Sequence, residues 1–238
     1  MYSNGSISRL CAAATLTICL GSIGGRAEPA PDATAQPTAT NLDTLCAQIA
    51  CRKGGYEAVV RVDSERYTTV PVSRSPYVVD DNSILIFPGE TIAIQFTIEN
   101  DQLTHPKMVE RFAPKLPAYI PGPSSPIADP ANAALPVLKS GLPAQETAEL
   151  PPNTLLLSYG QFEGQTGMAL EVEHNLPHTV KVDAIIALIK TGAYDQHYTS
   201  TCPILPKIFG NEAWPEPLGP LIIRNVRFLP DSNQIDCK

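Results

Sequence analysis

The sequence has little charge, and its mature part has no long apolar run. Charged residues make up 17% of the 238 positions and hydrophobic residues 43%, so the chain is too apolar to be a fully disordered polymer. Acids outnumber bases by 24 to 17, the opposite of the balance that nucleic-acid binding needs. No stretch beyond the N-terminal segment approaches the roughly 20 apolar residues of a membrane-spanning helix. We expect no nucleic-acid partner and no transmembrane segment after processing.

Motifs of common enzyme classes are also missing. The sequence has no Gly-x-x-x-x-Gly-Lys phosphate loop, no Gly-x-Gly-x-x-Gly dinucleotide motif and no Gly-x-Ser-x-Gly elbow. The adjacent carboxylates Asp80 and Asp81 indicate a turn, because neighbouring strand residues point to opposite faces. These absences favour a non-enzymatic protein without a cofactor.

Proline, in contrast, is abundant. The 24 prolines are about twice the ordinary share, which excludes a helical bundle or coiled coil because proline blocks helix interiors. Prolines are dense from His105 to Pro152, a pattern that cannot support a central strand. We predict a long Pro-rich loop there, with room for a short edge strand or helical turn near Ala131–Leu138.

The N-terminus is typical of a secretory signal. A polar start ending in Arg9 precedes the apolar run Leu10–Leu20, and small residues follow. Gly25 and Ala27 fit the −3 and −1 positions, so we expect a signal peptide over 1–27 and a periplasmic or secreted protein. Its removal takes two arginines and no acid, changing the net charge from −7 to −9. Residues 28–40, rich in Pro, Ala and Thr, predict a disordered linker.

The remaining residues, 41–238, predict one all-β domain. Apolar spacing over Asn41–Ala50 indicates one short N-terminal helix, with Asn41 as a possible N-cap and Gly54-Gly55 as a stop. Alternating segments then predict strands at Tyr56–Val62, Tyr67–Val72, Ile84–Phe87, Thr91–Ile98, Leu155–Phe162, Met168–His174, Thr179–Leu188 and Leu221–Phe228. Short connections, including Asn175-Leu176-Pro177, indicate hairpins. The predicted fold is an antiparallel, immunoglobulin-like β-sandwich with a long Pro-rich loop.

Several short segments resemble a group of exported bacterial proteins of unknown function. They are Cys51–Gly55, Ser75–Tyr77, Phe87–Thr91, Thr199–Pro203 and Trp214–Pro215. The resemblance implies a bacterial periplasmic setting and a β-rich domain. It brings no activity and no catalytic residue.

Four cysteines remain after processing: Cys46, Cys51, Cys202 and Cys237. In an oxidising compartment they predict two disulfides. Residues five apart in a continuous helix have Cα atoms roughly 8–9 Å apart, beyond the ~7 Å limit. We therefore prefer Cys51–Cys202 with Cys46–Cys237, since Cys51 and Cys202 lie in the resembling segments. Local pairing stays open if the helix ends between Cys46 and Cys51, whereas zinc is disfavoured because no Cys-x-x-Cys pair exists.

Two histidines, His174 and His178, flank the predicted turn at Asn175-Leu176-Pro177. Neutral imidazoles suit copper or zinc, so a metal-binding periplasmic protein is one hypothesis. The alternative is two solvent-facing histidines, since a site needs further ligands.

Tyr194, His197, Tyr198 and Trp214 form a second candidate group. Aromatic side chains with polar tips often make recognition surfaces, although a lone Trp in a small domain usually packs in the core. The main hypothesis is a non-enzymatic binding or envelope-assembly module that holds an envelope protein or a glycan through sheet edges or loops.

Overall fold

The computed structural model describes residues 41–79, 82–116, 150–190, 193–230 and Cys237. The expected signal peptide and linker lie outside the described residues. So do the predicted turn at Asp80-Asp81, most of the Pro-rich loop and the segment Ala131–Leu138.

The predicted N-terminal helix is confirmed as α1, Leu42–Gln48. Asn41 is its N-cap, and the side chain accepts a 2.9 Å hydrogen bond from the backbone N–H of Asp43. The helix ends earlier than the glycines predicted, because Ile49 is extended, with φ −126° and ψ 160°. None of the seven helical residues is buried, so packing leaves its apolar side open.

The described residues contain fourteen strands. They are β1 Cys51–Arg52, β2 Tyr56–Arg61, β3 Tyr67–Val72, β4 Ser75–Pro76, β5 Val78–Val79, β6 Ser83–Ile86, β7 Glu90–Glu99, β8 Gln102–Phe112, β9 Thr154–Gln161, β10 Met168–His174, β11 Val180–Lys190, β12 Ala193–Ser200, β13 Gly210–Trp214 and β14 Leu218–Phe228. Every strand that the alternating pattern predicted overlaps an observed one.

Ten of these strands form two five-stranded antiparallel sheets. Sheet I has the order β13-β10-β9-β7-β8, and sheet II has the order β12-β11-β14-β6-β5. One large apolar core takes side chains from both sheets, including Ile94, Leu157 and Leu170 from sheet I and Ile84 and Ile223 from sheet II. The all-β sandwich is therefore confirmed; its immunoglobulin-like form stays a prediction.

The hairpin of β2 and β3 adds side chains to the same core. Gln161, at the end of β9, connects it to sheet I: its side chain accepts from the backbone N–H of Arg61 at 2.7 Å and donates to the Arg61 carbonyl at 2.8 Å. The buried amide thus forms the two bonds that a neighbouring strand would otherwise form.

The connection at Asn175-Leu176-Pro177 differs from the prediction. β9 and β10 pair as expected, but β10 lies in sheet I and β11 in sheet II. The turn is therefore an arch between sheets, and the hairpin prediction there is wrong. His174 and His178 consequently belong to different surroundings.

Three longer strands were not predicted: β8, β12 and β13, all at sheet edges. The prediction of loop from His105 onward is wrong as far as Phe112, because β8 continues through Pro106. An edge strand tolerates proline, since its outward N–H groups bond no neighbour. Edge strands also have both faces partly in water, which weakens their alternation.

The disulfides are Cys46–Cys51 and Cys202–Cys237. The preferred long-range pairing is wrong. The helix ends before Ile49, so Cys46 and Cys51 are not on one continuous helix, and their Cα atoms are 5.4 Å apart. Cys202 and Cys237 have Cα atoms 4.2 Å apart.

Candidate functional site

An apolar groove lies along one lateral side of the sandwich, between helix α1 and the edge strands β5 and β8. It has a volume of about 660 Å³, and its apolar lining includes Leu45, Ile49, Val78, Val79, Pro106 and Met108. Polar side chains at its rim include Gln48, Asn82, His105 and Lys107. Its size falls within the range of ordinary ligand sites.

The groove is open because neither neighbouring edge closes it. Within the described residues β8 pairs only with β7, and β5 has just two residues paired to β6. Helix α1 borders the groove through Leu45, and the residue that follows the helix, Ile49, borders it with 38% of its surface exposed. An exposed apolar helix side beside the open edge of a sheet is an arrangement that partner segments commonly cover.

The middle of β8 has an unusual backbone. His105 has φ +48°, a left-handed conformation that costs most residues roughly 1 kcal/mol or more. The register between β7 and β8 also shifts on either side of Ile94 and Gln95. These irregularities lie at the part of β8 that lines the groove. Local strain of this kind often occurs at binding sites.

Behind the groove lies a buried charged cluster centred on Arg52. Its guanidinium pairs with Glu90, lies 4.1 Å from the centroid of the Tyr77 ring, and donates to the carbonyls of Pro76 and Leu85. Its other aromatic neighbour is Phe87, at 5.0 Å. Three of the segments in the sequence resemblance therefore converge on one buried structural cluster, which connects β1 and β4 to sheets I and II.

The two predicted metal-binding histidines, His174 and His178, lie in different environments. His174 is buried, and its Nε2–H donates to the Ile204 carbonyl at 3.0 Å, while Nδ1 has no partner among the described residues. Burial lowers the pKa of His174, and the Ile204 carbonyl only partly opposes this. His178 is exposed and packs edge-on against Phe228. Among described residues no group of three or more ligating side chains could hold a metal, so the metal site remains a prediction.

The predicted aromatic group is divided by the fold. Tyr194 and Tyr198 lie on one face of β12, whereas His197 points to the opposite face, with Nε2 3.0 Å from the Asp195 carboxylate. Trp214 is on β13 in the other sheet, half-buried against the main core. The sequence thus indicated Tyr198 but not Asp183 on β11 and Arg224 on β14, which lie beside it in the structure.

A lysine holds the chain after β8 against the outer face of sheet I. Lys115 Nζ is 2.7 Å from Glu173 and 3.2 Å from Glu171. Partial burial opposes its charge, but the two carboxylates outweigh burial and raise the pKa of Lys115. Gly160 lies directly beneath, where any Cβ would overlap the Leu116 backbone. The exit from β8 is therefore fixed, and the groove side of β8 stays open.

No known protein family, curated protein or solved structure matches this chain. In the described part of the chain, no helix has the length and apolarity that crossing a bilayer requires.

Proposed function

We propose that this protein is a non-enzymatic binding module whose groove holds an extended, apolar polypeptide segment. The proposal rests on the groove's position beside β8, a strand of eleven residues that pairs only with β7 within the described residues. The proposed setting is the bacterial envelope, where the two disulfides would be stable.

The chemistry of the groove favours a polypeptide over a lipid chain. Val78, Val79 and Met108 offer apolar contact, which either ligand could use. The open edge of β8 also offers backbone donors and acceptors, which only another backbone can pair along its length. An added strand would place alternate side chains in the groove and the others in water, the pattern of β-strand addition.

The rim of the groove favours a bound segment that carries an acidic residue. Lys107 and His105 lie at the groove, and His105 Nε2 is 3.9 Å from the carboxylate of Glu99. A segment with an acidic residue beside its apolar positions would complement Lys107. Both rim residues are exposed, so this effect is modest and weakens with salt.

A fluorescent peptide of alternating valine and threonine would test the proposal by anisotropy. We expect saturable binding, and loss of binding when alternate backbone amides are N-methylated, because methylation blocks strand pairing while leaving the side chains intact. A medium-chain fatty acid should not compete. Competition by the fatty acid, or equal binding of the methylated peptide, would contradict the proposal.

Two exposed isoleucines provide matched variants. Ile49→Asp places a charge in the groove, whereas Ile208, 52% exposed, does not line it. Losing one apolar contact of roughly 1.4 kcal/mol corresponds to about tenfold weaker binding. We expect this loss for Ile49→Asp and no loss for the control variant Ile208→Asp. Equal effects of the two variants would exclude the groove as the site.

A further inference from the structure

A second site lies on the outer face of sheet II, away from the apolar core. Asp183 of β11 is buried, and its carboxylate accepts from Ser200 Oγ at 2.9 Å, Asn225 Nδ2 at 2.7 Å and Arg227 NH1 at 3.0 Å. Tyr198 also donates its hydroxyl to this carboxylate. The side chain therefore fixes groups from β12 and β14 around one point.

A bulge in β14 creates the space beside Asp183. The pairing of β11 with β14 shifts between Lys181 and Asp183, so that Asn225 and Val226 of β14 together face the single residue Val182. Asn225 adopts φ +49° at this bulge. The result is an open depression of about 360 Å³ lined by Asp183, Tyr198, Arg224 and Asn225. That volume is near the lower end for small-ligand sites, enough for one ring-sized group.

One carboxylate, Asp183, and two arginines, Arg224 and Arg227, lie at this depression, a balance opposite to that of the whole protein. Asp183 and Arg227 compensate one another, while the exposed Arg224 lines the depression as a second cation. The chain as a whole has a net charge of −7. An exposed guanidinium beside a carboxylate that is already paired is suited to a carboxylate or phosphate of a ligand.

The ring of Tyr198 adds an apolar platform. The residue is 69% exposed although its hydroxyl is held by Asp183, so the faces of the ring remain available. An aromatic face packs against the C–H side of a ring, and Asn225 retains an amide oxygen for hydroxyl groups. The combination requires a ligand with an anionic group, an apolar ring face and hydroxyls.

We propose that the depression at Tyr198 and Arg224 binds an acidic saccharide, a sugar ring bearing a carboxylate or phosphate. Arg224 would pair with the anion, Tyr198 would stack on the ring, and Asn225 would bond a hydroxyl. This site lies on a different surface from the groove and does not depend on the peptide-binding proposal.

Trigalacturonic acid and its methyl ester are suitable probes, because esterification removes the negative charges and adds only one methyl group to each carboxyl. In a titration of ¹⁵N-labelled protein, millimolar trigalacturonic acid should shift the amide resonances of Tyr198, Arg224 and Asn225. The methyl ester should bind at least tenfold more weakly. Equal shifts with the ester, or no shifts with the acid, would overturn the proposal. Equal binding of citrate would show recognition of an anion alone and would also overturn it.

Variants separate this site from nonspecific attraction. Arg224→Gln and Tyr198→Ala should each weaken trigalacturonate binding by about tenfold, since each removes a charged or stacking contact. Arg66→Gln removes an exposed arginine on the β2–β3 turn and should leave binding unchanged. If Arg66→Gln weakened binding as much as Arg224→Gln, the attraction would be general and the assigned site wrong.

Discussion

Arg52 and Glu90, 38 positions apart in the chain, form a two-pronged ion pair with side-chain exposures of only 1% and 2%. Nε lies 2.7 Å from Oε1 and NH2 lies 2.8 Å from Oε2. Oε2 also accepts the backbone N–H of Phe87 at 2.8 Å. The pair connects β1, which follows helix α1, to the start of β7, and Arg52 also donates to the carbonyl of Pro76, which lines the groove.

We expect Glu90→Gln to destabilise the fold by about 3–5 kcal/mol, because it leaves the buried guanidinium of Arg52 without its counter-charge. The double variant Arg52→Met/Glu90→Leu should cost less than either single change, since it leaves no unpaired charge. Urea unfolding of Glu90→Gln, Arg52→Met, Glu90→Leu and the double variant measures this. Asp63→Asn, which breaks an exposed pair with Arg66, should have little effect. A double variant that costs the sum of the singles would contradict the account.

The disulfides give a second prediction. Cys202–Cys237 closes 35 positions and Cys46–Cys51 closes five, so chain entropy gives upper estimates of about 4 and about 2 kcal/mol. With the orphaned thiol blocked, Cys202→Ser and Cys237→Ser should melt alike, and both should melt below Cys46→Ser. A tryptic peptide joining Cys51 to Cys202, or clearly different melting of the Cys202 and Cys237 variants, would contradict the pairing.

His174 predicts a pH dependence of stability. Burial lowers its pKa in the folded protein, while the unfolded value is about 6.5. The unfolded chain therefore binds this proton more readily, so the contribution is complete above about pH 6.5 and is lost as the pH falls towards the folded pKa. His174→Gln keeps a donor for the Ile204 carbonyl but does not titrate. Its stability should be flatter between about pH 7 and 5 than that of the wild type; parallel curves would contradict this.

Much of the fold could be predicted from local pattern. Ile92, Ile94 and Phe96 alternate with smaller or polar residues because one face of β7 packs in the main core, while the other face becomes open to water from Gln95 onward. The strand β12 gave no such signal, since Tyr194 and Tyr198 on one face and His197 on the other are all well exposed. For β8 the reason was Pro106, because proline excludes a central strand but is compatible with an edge strand.

The candidate sites could be predicted only in part. Tyr198 was identifiable as an aromatic residue with a polar tip, but Asp183 and Arg224 join it through strand register, which spacing along the chain does not encode. The groove combines residues from α1, β5 and β8, whose association depends on how the two sheets pack. The disulfide pairing depended on whether α1 ended before Ile49, a boundary that sequence patterns locate only to within a few residues.

Hydrogen exchange along β8 is the most direct test of strand addition in the groove. In the free protein, the outward N–H groups between Gln102 and Phe112 have no strand partner among the described residues and should exchange quickly. Saturating alternating valine–threonine peptide should slow alternate amides of β8, leaving the exposed edge β12 unchanged. Protection confined to β8 is the result that strand addition in the groove predicts. Peptide binding with unchanged exchange along β8 would contradict it.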